Sequence, residues 1–114
     1  MLVSTAGVHH ADDPPFDTEG DTSYRVIPGD ARAEDLRVAD THYDHDCIDH
    51  DVNCVFPVDR LYELAEERRI RAVADKHLSL GFTQALRQLR DETIPRVVRE
   101  VERSRPDAVL LTGG

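Results

Sequence analysis

The chain has 114 residues and a mass of 12.9 kDa, enough for one domain with a modest hydrophobic core and too short for a large multidomain enzyme. Its formal net charge of -9 at pH 7 argues against binding to nucleic acid or to an anionic membrane surface, because both need clustered Lys and Arg. No apolar run approaches the ~20 residues that span a bilayer, and no secretory signal is visible. We therefore expect a cytoplasmic protein that binds neither nucleic acid nor membrane.

The acidity is concentrated in the first half of the chain. Residues 1–59 hold 14 Asp and Glu against 3 Arg, whereas residues 60–114 hold 9 acids against 11 bases. Two segments of this half, His9 to Asp21 and Thr41 to Asn53, are polar and acidic, and the first contains the helix and strand breakers Pro14, Pro15 and Gly20. Long loops are usually functional or mobile. We expect both segments to be long acidic loops.

Short apolar runs predict strands in the first half. Met1 to Thr5 is expected to be a buried strand, and Gly7 lets the backbone turn sharply after it. Ser23 to Ile27 is β-prone and stops at Pro28-Gly29, and Leu36 to Val38 predicts another short strand.

Helical periodicity marks the second half. Val58, Leu61 and Leu64 fall on one face of a helix that Pro57 opens, and Leu78 to Phe82 predicts a strand. A second helix is expected from Thr83, with a break near Thr93 because Pro95 removes a backbone donor. The apolar run Ala108 to Thr112 predicts a strand covered on both faces.

This order predicts an α/β fold, a three-layer or partial layered architecture with a largely parallel sheet, in a single domain over residues 1–114. Because the chain begins and ends in predicted core strands, we expect it to be a fragment of a larger subunit. Ligands of open parallel sheets lie at the carboxyl ends of the strands. If the first and last strands are neighbours, His9, His10 and the residues after Gly114 share one crevice.

The densest chemistry lies in His42-Tyr43-Asp44-His45-Asp46. A histidine in this segment suits proton transfer because its unperturbed pKa lies near 6.5, and Asp44 is placed to orient a ring. His42, Asp44 and His45 are also chemically suited to a divalent metal, although they lack a helical metal-binding register. A solvated acidic loop remains the third interpretation. His9 follows a strand and a glycine, which aims it at a ligand, and a surface histidine is equally compatible with this position.

Two cysteines, Cys47 and Cys54, are too few for a disulfide scaffold. The six residues between them fit no common zinc or thioredoxin-like spacing. Cys54 precedes the apolar pair Val55 and Phe56, so we expect it to be a small core residue.

Several motifs together resemble the selenoprotein B subunit family of glycine, sarcosine and betaine reductases and D-proline reductase. The resemblance runs in order along nearly the whole chain, up to Ala108 to Thr112. Its motifs are Thr5-Ala6-Gly7-Val8-His9, Asp13-Pro14-Pro15-Phe16-Asp17, Gly20-Asp21-Thr22-Ser23-Tyr24-Arg25-Val26-Ile27-Pro28, His42-Tyr43-Asp44-His45 and Asn53-Cys54-Val55-Phe56-Pro57-Val58-Asp59-Arg60-Leu61.

The resemblance implies an oxidoreductase component, with a disulfide as the acceptor, that reductively cleaves a C–N bond of glycine, sarcosine, betaine, D-proline or a related small substrate. Family members work with a pyruvoyl-bearing subunit and with a selenoprotein A-like or thiol redox partner. They also carry a selenocysteine or cysteine directly after the strand that matches Asp107 to Thr112. We expect that residue immediately after Gly114, with the chain truncated at a UGA codon, no other cofactor in this chain, and no turnover by the chain alone.

The resemblance also places the candidate site. We expect His42, Asp44, His45 and His9 to be catalytic and Arg25, Asp17 and Tyr43 to contact the substrate. Two alternatives stay open: a metal-binding domain or metal-dependent hydrolase built on His42, Asp44 and His45, and a non-catalytic interaction module. A homodimer is compatible with either, since an exposed sheet edge invites pairing.

Overall fold

The computed structural model describes residues 1–42 and 46–113. Its strands are β1 Leu2–Ser4, β2 Val8–His10, β3 Tyr24–Pro28, β4 Leu36–Val38, β5 Lys76–Leu80 and β6 Leu110–Thr112. Its α-helices are α1 Val58–Glu66, α2 Leu86–Gln88 and α3 Ile94–Ser104, with 3-10 turns at Ala33–Asp35 and Val52–Cys54. The mixed α/β class predicted from the sequence is confirmed.

The strands form two sheets. The larger has the order β3-β5-β1-β6, in which β1 runs parallel to both β5 and β6, and β3 is antiparallel to β5. The smaller consists of β2 and β4 in antiparallel pairing, with His9 opposite Arg37. The sheet is therefore mostly parallel, as predicted, and the carboxyl ends of β1, β5 and β6 lie along one edge.

Each face of the larger sheet has its own apolar cluster, because alternate residues of a strand point to opposite faces. Leu78 and Leu80 pack with Val97 of α3 on one side. Leu2 and Ile27 pack on the other side in a cluster that includes residues of α1, β2, β4 and the segment before α1, namely Val8, Leu36, Ile48, Val55, Phe56 and Val58. Two covering layers thus hold the sheet between them.

The second helical region is interrupted where the proline predicts it. A π-helical turn, Leu89–Thr93, joins α2 to α3, and Pro95, which lacks a backbone N–H, lies in the first turn of α3. The Thr93 hydroxyl donates a hydrogen bond of 2.5 Å to the Thr22 carbonyl, which ties the turn to the acidic first half. In the described part of the chain, no helix has the length and apolar character needed to cross a membrane.

Three expectations differ from the structure. His9 and His10 belong to strand β2, which pairs with β4, rather than to a continuous loop. Leu111 of β6 is 74% exposed, so β6 is an edge strand and the prediction of cover on both faces is wrong for the described chain. Cys54 is exposed rather than in the core, while its neighbours Val55 and Phe56 are buried.

A neutral histidine lies in the core beneath the candidate site. His77 of β5 is fully buried, its Nδ1 accepts a hydrogen bond of 3.0 Å from the Leu2 N–H, and its ring lies edge-on to Phe56. Burial lowers the pKa of His77 to about 4 from 6.5, because the charged ring is poorly solvated there. The folded protein therefore holds this imidazole in its neutral form.

This burial predicts a pH dependence of stability. The unfolded chain binds a proton at His77 below pH 6.5, whereas the folded chain binds it only near pH 4. This difference leaves the free energy of unfolding unchanged above pH 6.5 and lowers it as the pH falls from 6.5 to about 4. We expect the free energy of unfolding to drop by about 2 kcal/mol from pH 7 to pH 5 on account of His77 alone. His77→Asn, whose side-chain oxygen replaces Nδ1 as acceptor, should remove this component in urea titrations at both pH values. The exposed control His50→Asn should retain the drop in unfolding free energy. A His77→Asn variant that loses as much unfolding free energy from pH 7 to pH 5 as the wild type would contradict the role of His77.

Gly81, directly after β5, leaves space for an aromatic ring from the first acidic segment, His9 to Asp21. A Cβ on Gly81 would lie 2.7 Å from Cδ1 of Phe16, closer than real Cβ atoms approach. Phe16 itself is buried, and the Asp21 N–H donates to the Phe82 carbonyl at 2.8 Å. The acidic segment is thus packed against β5 through the space that Gly81 leaves.

We expect Gly81→Ala to destabilise the fold by about 1–3 kcal/mol, because a buried ring must shift to admit the new methyl group. The matched control is Gly113→Ala, whose Cβ would meet Thr5 at an ordinary 3.6 Å and should change stability by less than about 0.5 kcal/mol. Chemical denaturation gives the free energy of unfolding of both variants. If the two variants are equally stable, the packing of Phe16 does not need the space that Gly81 leaves.

Candidate functional site

The candidate site is built on the edge where three parallel strands end. The Thr5 N–H after β1 donates to the Thr112 carbonyl of β6 at 3.1 Å, and the Gly7 N–H donates to the Leu80 carbonyl of β5 at 2.9 Å. The first and last strands are therefore neighbours, and Gly113 lies beside Thr5. Open parallel sheets bind ligands at this kind of edge.

A tight turn at Gly7 brings the second sheet to this edge. Gly7 has a φ of 67°, and a Cβ there would lie 2.5 Å from the Ala39 carbonyl oxygen. Only glycine adopts this conformation at such a close approach. The Gly7 carbonyl accepts a hydrogen bond of 3.0 Å from the Ala39 N–H, which fixes the chain just before Asp40 and His42.

His42 is held by a buried carboxylate and by an aromatic ring. Asp40 is 5% exposed, and its Oδ1 accepts hydrogen bonds from the His42 backbone N–H at 2.8 Å and from the His42 Nδ1 at 3.0 Å. The imidazole stacks on Phe82 with ring centroids 3.6 Å apart and an angle of 20° between the planes. The side chain of His42 stays 42% exposed. The structure thus fixes the plane of the ring while leaving it in contact with solvent.

Asp40 is the site residue that the sequence analysis missed. The prediction named Asp44 as the partner of a histidine, and Asp44 lies outside the described residues together with Tyr43 and His45. A signal for Asp40 was present, since an Asp two residues before a histidine can accept from its backbone N–H in an Asx-turn. Its burial follows only from the packing of β4 against the rest of the fold.

His9 lies beneath the same edge. It is 6% exposed, its Nδ1 lies 3.4 Å from the Gly7 carbonyl oxygen, and its ring is edge-on to Phe16 at 6.4 Å. A histidine this deeply buried contacts a small ligand only if the covering segment moves. The proposed catalytic role of His9 therefore stays a prediction, whereas its role in positioning Phe16 is visible.

Arg25 contacts the part of the acidic segment around Phe16, which packs over His9. Its guanidinium lies over the Phe16 ring at 4.2 Å, donates to the Pro14 carbonyl at 3.3 Å and donates to the Ser23 hydroxyl at 2.6 Å. Asp21 lies 3.8 Å from it. Burial raises the pKa of Asp21, but hydrogen bonds from Ser23 and the nearby Arg25 outweigh this effect and lower the pKa below its ordinary value.

The remaining predicted substrate contacts lie at different depths. Asp17 is exposed, and its Oδ1 accepts a hydrogen bond of 2.9 Å from the Glu19 N–H within the same loop. Arg25 is partly buried by the contacts described above, and Tyr43 is outside the described residues. Substrate binding by these three residues stays a prediction.

Two chemical features bear on which group fits this edge. Within residues 1–42 and 46–113, no group of three His, Cys, Asp or Glu side chains is arranged to hold a metal ion. The Thr112 hydroxyl oxygen at the end of β6 is buried and has no hydrogen-bond partner in the described chain.

Comparison with known proteins identifies one relative. The chain is 40% identical over 116 aligned residues to the D-proline reductase subunit gamma of Acetoanaerobium sticklandii. The alignment covers 99% of this chain and 47% of the relative, so the chain spans about half the length of the curated relative it matches. No family model matches the sequence, and no solved structure matches it. The similarity supports a related reductase family, in agreement with the resemblance that the motifs carry.

Proposed function

We propose that this chain is part of a reductase subunit that cleaves a C–N bond of D-proline or of a related small substrate such as glycine, sarcosine or betaine. The observation that carries the proposal is the 40% identity over 99% of the chain to a D-proline reductase subunit. The strand-end edge supports it, because an oriented histidine, His42, stacks there on Phe82, which follows β5. A selenoprotein B type of subunit is the form we propose.

The redox group in this proposal is a selenocysteine or cysteine directly after Gly114. A selenolate or thiolate supplies the nucleophile, because these residues react as anions. The two electrons for reductive cleavage come from this residue together with a thiol of the redox partner, and the two end joined as a selenenyl sulfide or a disulfide. The position fits the edge, since Gly113 lies beside Thr5 and the Thr112 hydroxyl has no hydrogen-bond partner among the described residues. A pyruvoyl-bearing subunit and a selenoprotein A-like or thiol redox protein complete the proposed complex.

His42 is the proposed proton donor to the leaving amine. The hydrogen bond from its Nδ1 to Asp40 requires a proton on that nitrogen, so Nε2 is the ring nitrogen that exchanges protons with a bound substrate. Asp40 is a positioning residue, because it contacts the ring rather than the substrate. Phe82 restricts rotation of the ring by stacking. Such restraint lowers the entropic cost of reaching the reactive geometry.

The segment that holds Arg25 and Phe16 is proposed to keep water away from the reacting bond. Phe16 is buried against Gly81 and His9, and Arg25 secures its loop through carbonyl oxygens and the aromatic face. An apolar ring at the mouth of a site raises the strength of the polar interactions inside it. His9 supports this ring from below.

Activity of the complete subunit with its partner subunits tests the proposal. We expect His42→Gln to lower kcat with D-proline by about 10²- to 10⁴-fold, the usual contribution of a general acid. Asp40→Asn should lower kcat by up to about 10²-fold with little change in KM, because it disturbs the orientation of a group that is still present.

The control is His50→Gln, in the same acidic half of the chain, which should leave kcat unchanged. Asp40→Asn should also alter the dependence of kcat on pH, which a merely structural role would not do. If the complete complex reduces none of the four substrates, the proposed reaction is wrong. If it is active and His42→Gln is as active as wild type, the proposed role of His42 is wrong.

A further inference from the structure

Both cysteines of the chain lie on the surface, in one short segment before α1. Cys47 and Cys54 are exposed and carry free thiols. Neither belongs to the strand-end edge, and the proposed reductase reaction does not use them. An exposed pair of thiols close together in the chain is chemically competent for exchange with disulfides.

The backbone folds back so that the two residues meet. The Cys54 thiol lies 3.8 Å from the Cys47 carbonyl oxygen, to which it donates. That oxygen is two covalent bonds from the Cys47 Cα, which carries the second thiol. The Cys54 sulfur thus already lies beside the backbone of Cys47, and a disulfide needs the two Cα atoms within about 7 Å of each other.

The turn between the cysteines is ordered before any bond forms. The Asp51 N–H donates to the Cys47 carbonyl at 2.9 Å, and the Cys54 N–H donates to the Asp51 carbonyl at 3.1 Å. The side chain of Asp51 accepts from the Asn53 backbone N–H at 2.9 Å, and Ile48 is buried in the core. Because the segment is already folded, closing a ring between its ends costs less entropy than in a flexible loop.

We propose that Cys47 and Cys54 form a reversible dithiol–disulfide pair that exchanges with small disulfides. One thiolate attacks a sulfur of the small disulfide, a mixed disulfide forms, and the first small thiol leaves. The second cysteine thiolate then attacks the mixed disulfide at the first cysteine's sulfur and releases the second small thiol. Two electrons pass from the cysteine pair to the small disulfide, and the two cysteine protons end on the released thiols. A dithiol reductant reverses the reaction.

Glutathione disulfide is the probe for this pair. The reduced 114-residue chain is incubated with it, remaining thiols are alkylated, and the protein is cleaved before aspartates, since no Lys or Arg separates Cys47 from Cys54. Cleavage at Asp49 and Asp51 places the two cysteines on different peptides. We expect mass spectrometry to find these peptides joined and lighter by two hydrogen atoms than the reduced pair, with a dithiol restoring the separate peptides.

The variants Cys47→Ser and Cys54→Ser are the matched controls. Each should retain one glutathione, because the mixed disulfide cannot be resolved within the chain. The joined fraction of wild type should fall when the incubation is repeated in denaturing urea, since the folded turn holds the thiols together. A wild-type chain that carries two glutathiones, links only to a second chain, or joins equally well in urea would overturn the proposal. None of these results depends on reductase activity.

Discussion

The close approach of two chain segments at Gly7 is the constraint on which the rest of the site depends. Its N–H binds the Leu80 carbonyl of the larger sheet, and its carbonyl binds the Ala39 N–H beside the smaller sheet. A side chain at this position would collide with the Ala39 carbonyl oxygen. The Gly7 carbonyl oxygen also lies 3.4 Å from the His9 Nδ1. One glycine thus sets the distance between the end of β1 and the segment that carries His42.

The arrangement divides the site between a rigid part and a covering part. The rigid part is the edge of β1, β5 and β6 with the Asp40–His42 pair, in which a buried carboxylate and the Phe82 ring restrict the imidazole. The covering part is the acidic segment that Arg25 and Phe16 hold against β5. The proposed proton transfer needs a fixed group and exclusion of water, and in this proposal the two parts supply one each.

The sequence predicts the elements whose signals are local. Strands β1 and β3 and helix α1 follow from apolar patterns bounded by glycine or proline. Strand β4 follows from a short apolar run after a turn-like segment, and the break before α3 follows from Pro95. Strand β2 was not predicted because His9 and His10 are polar and gain strand structure only by pairing with β4. Asp40 and Cys54 were misjudged for a similar reason, since burial depends on which distant segments pack around a residue.

The proposed function requires a selenocysteine or cysteine directly after Gly114. The most direct measurement is the nucleotide sequence of the gene across and beyond the Gly114 codon. We expect a TGA or cysteine codon next, followed by an open reading frame with a further cysteine codon a few residues on. A different stop codon with no continuing frame would contradict it, because Gly113 at the strand-end edge would then have no reactive group beyond it.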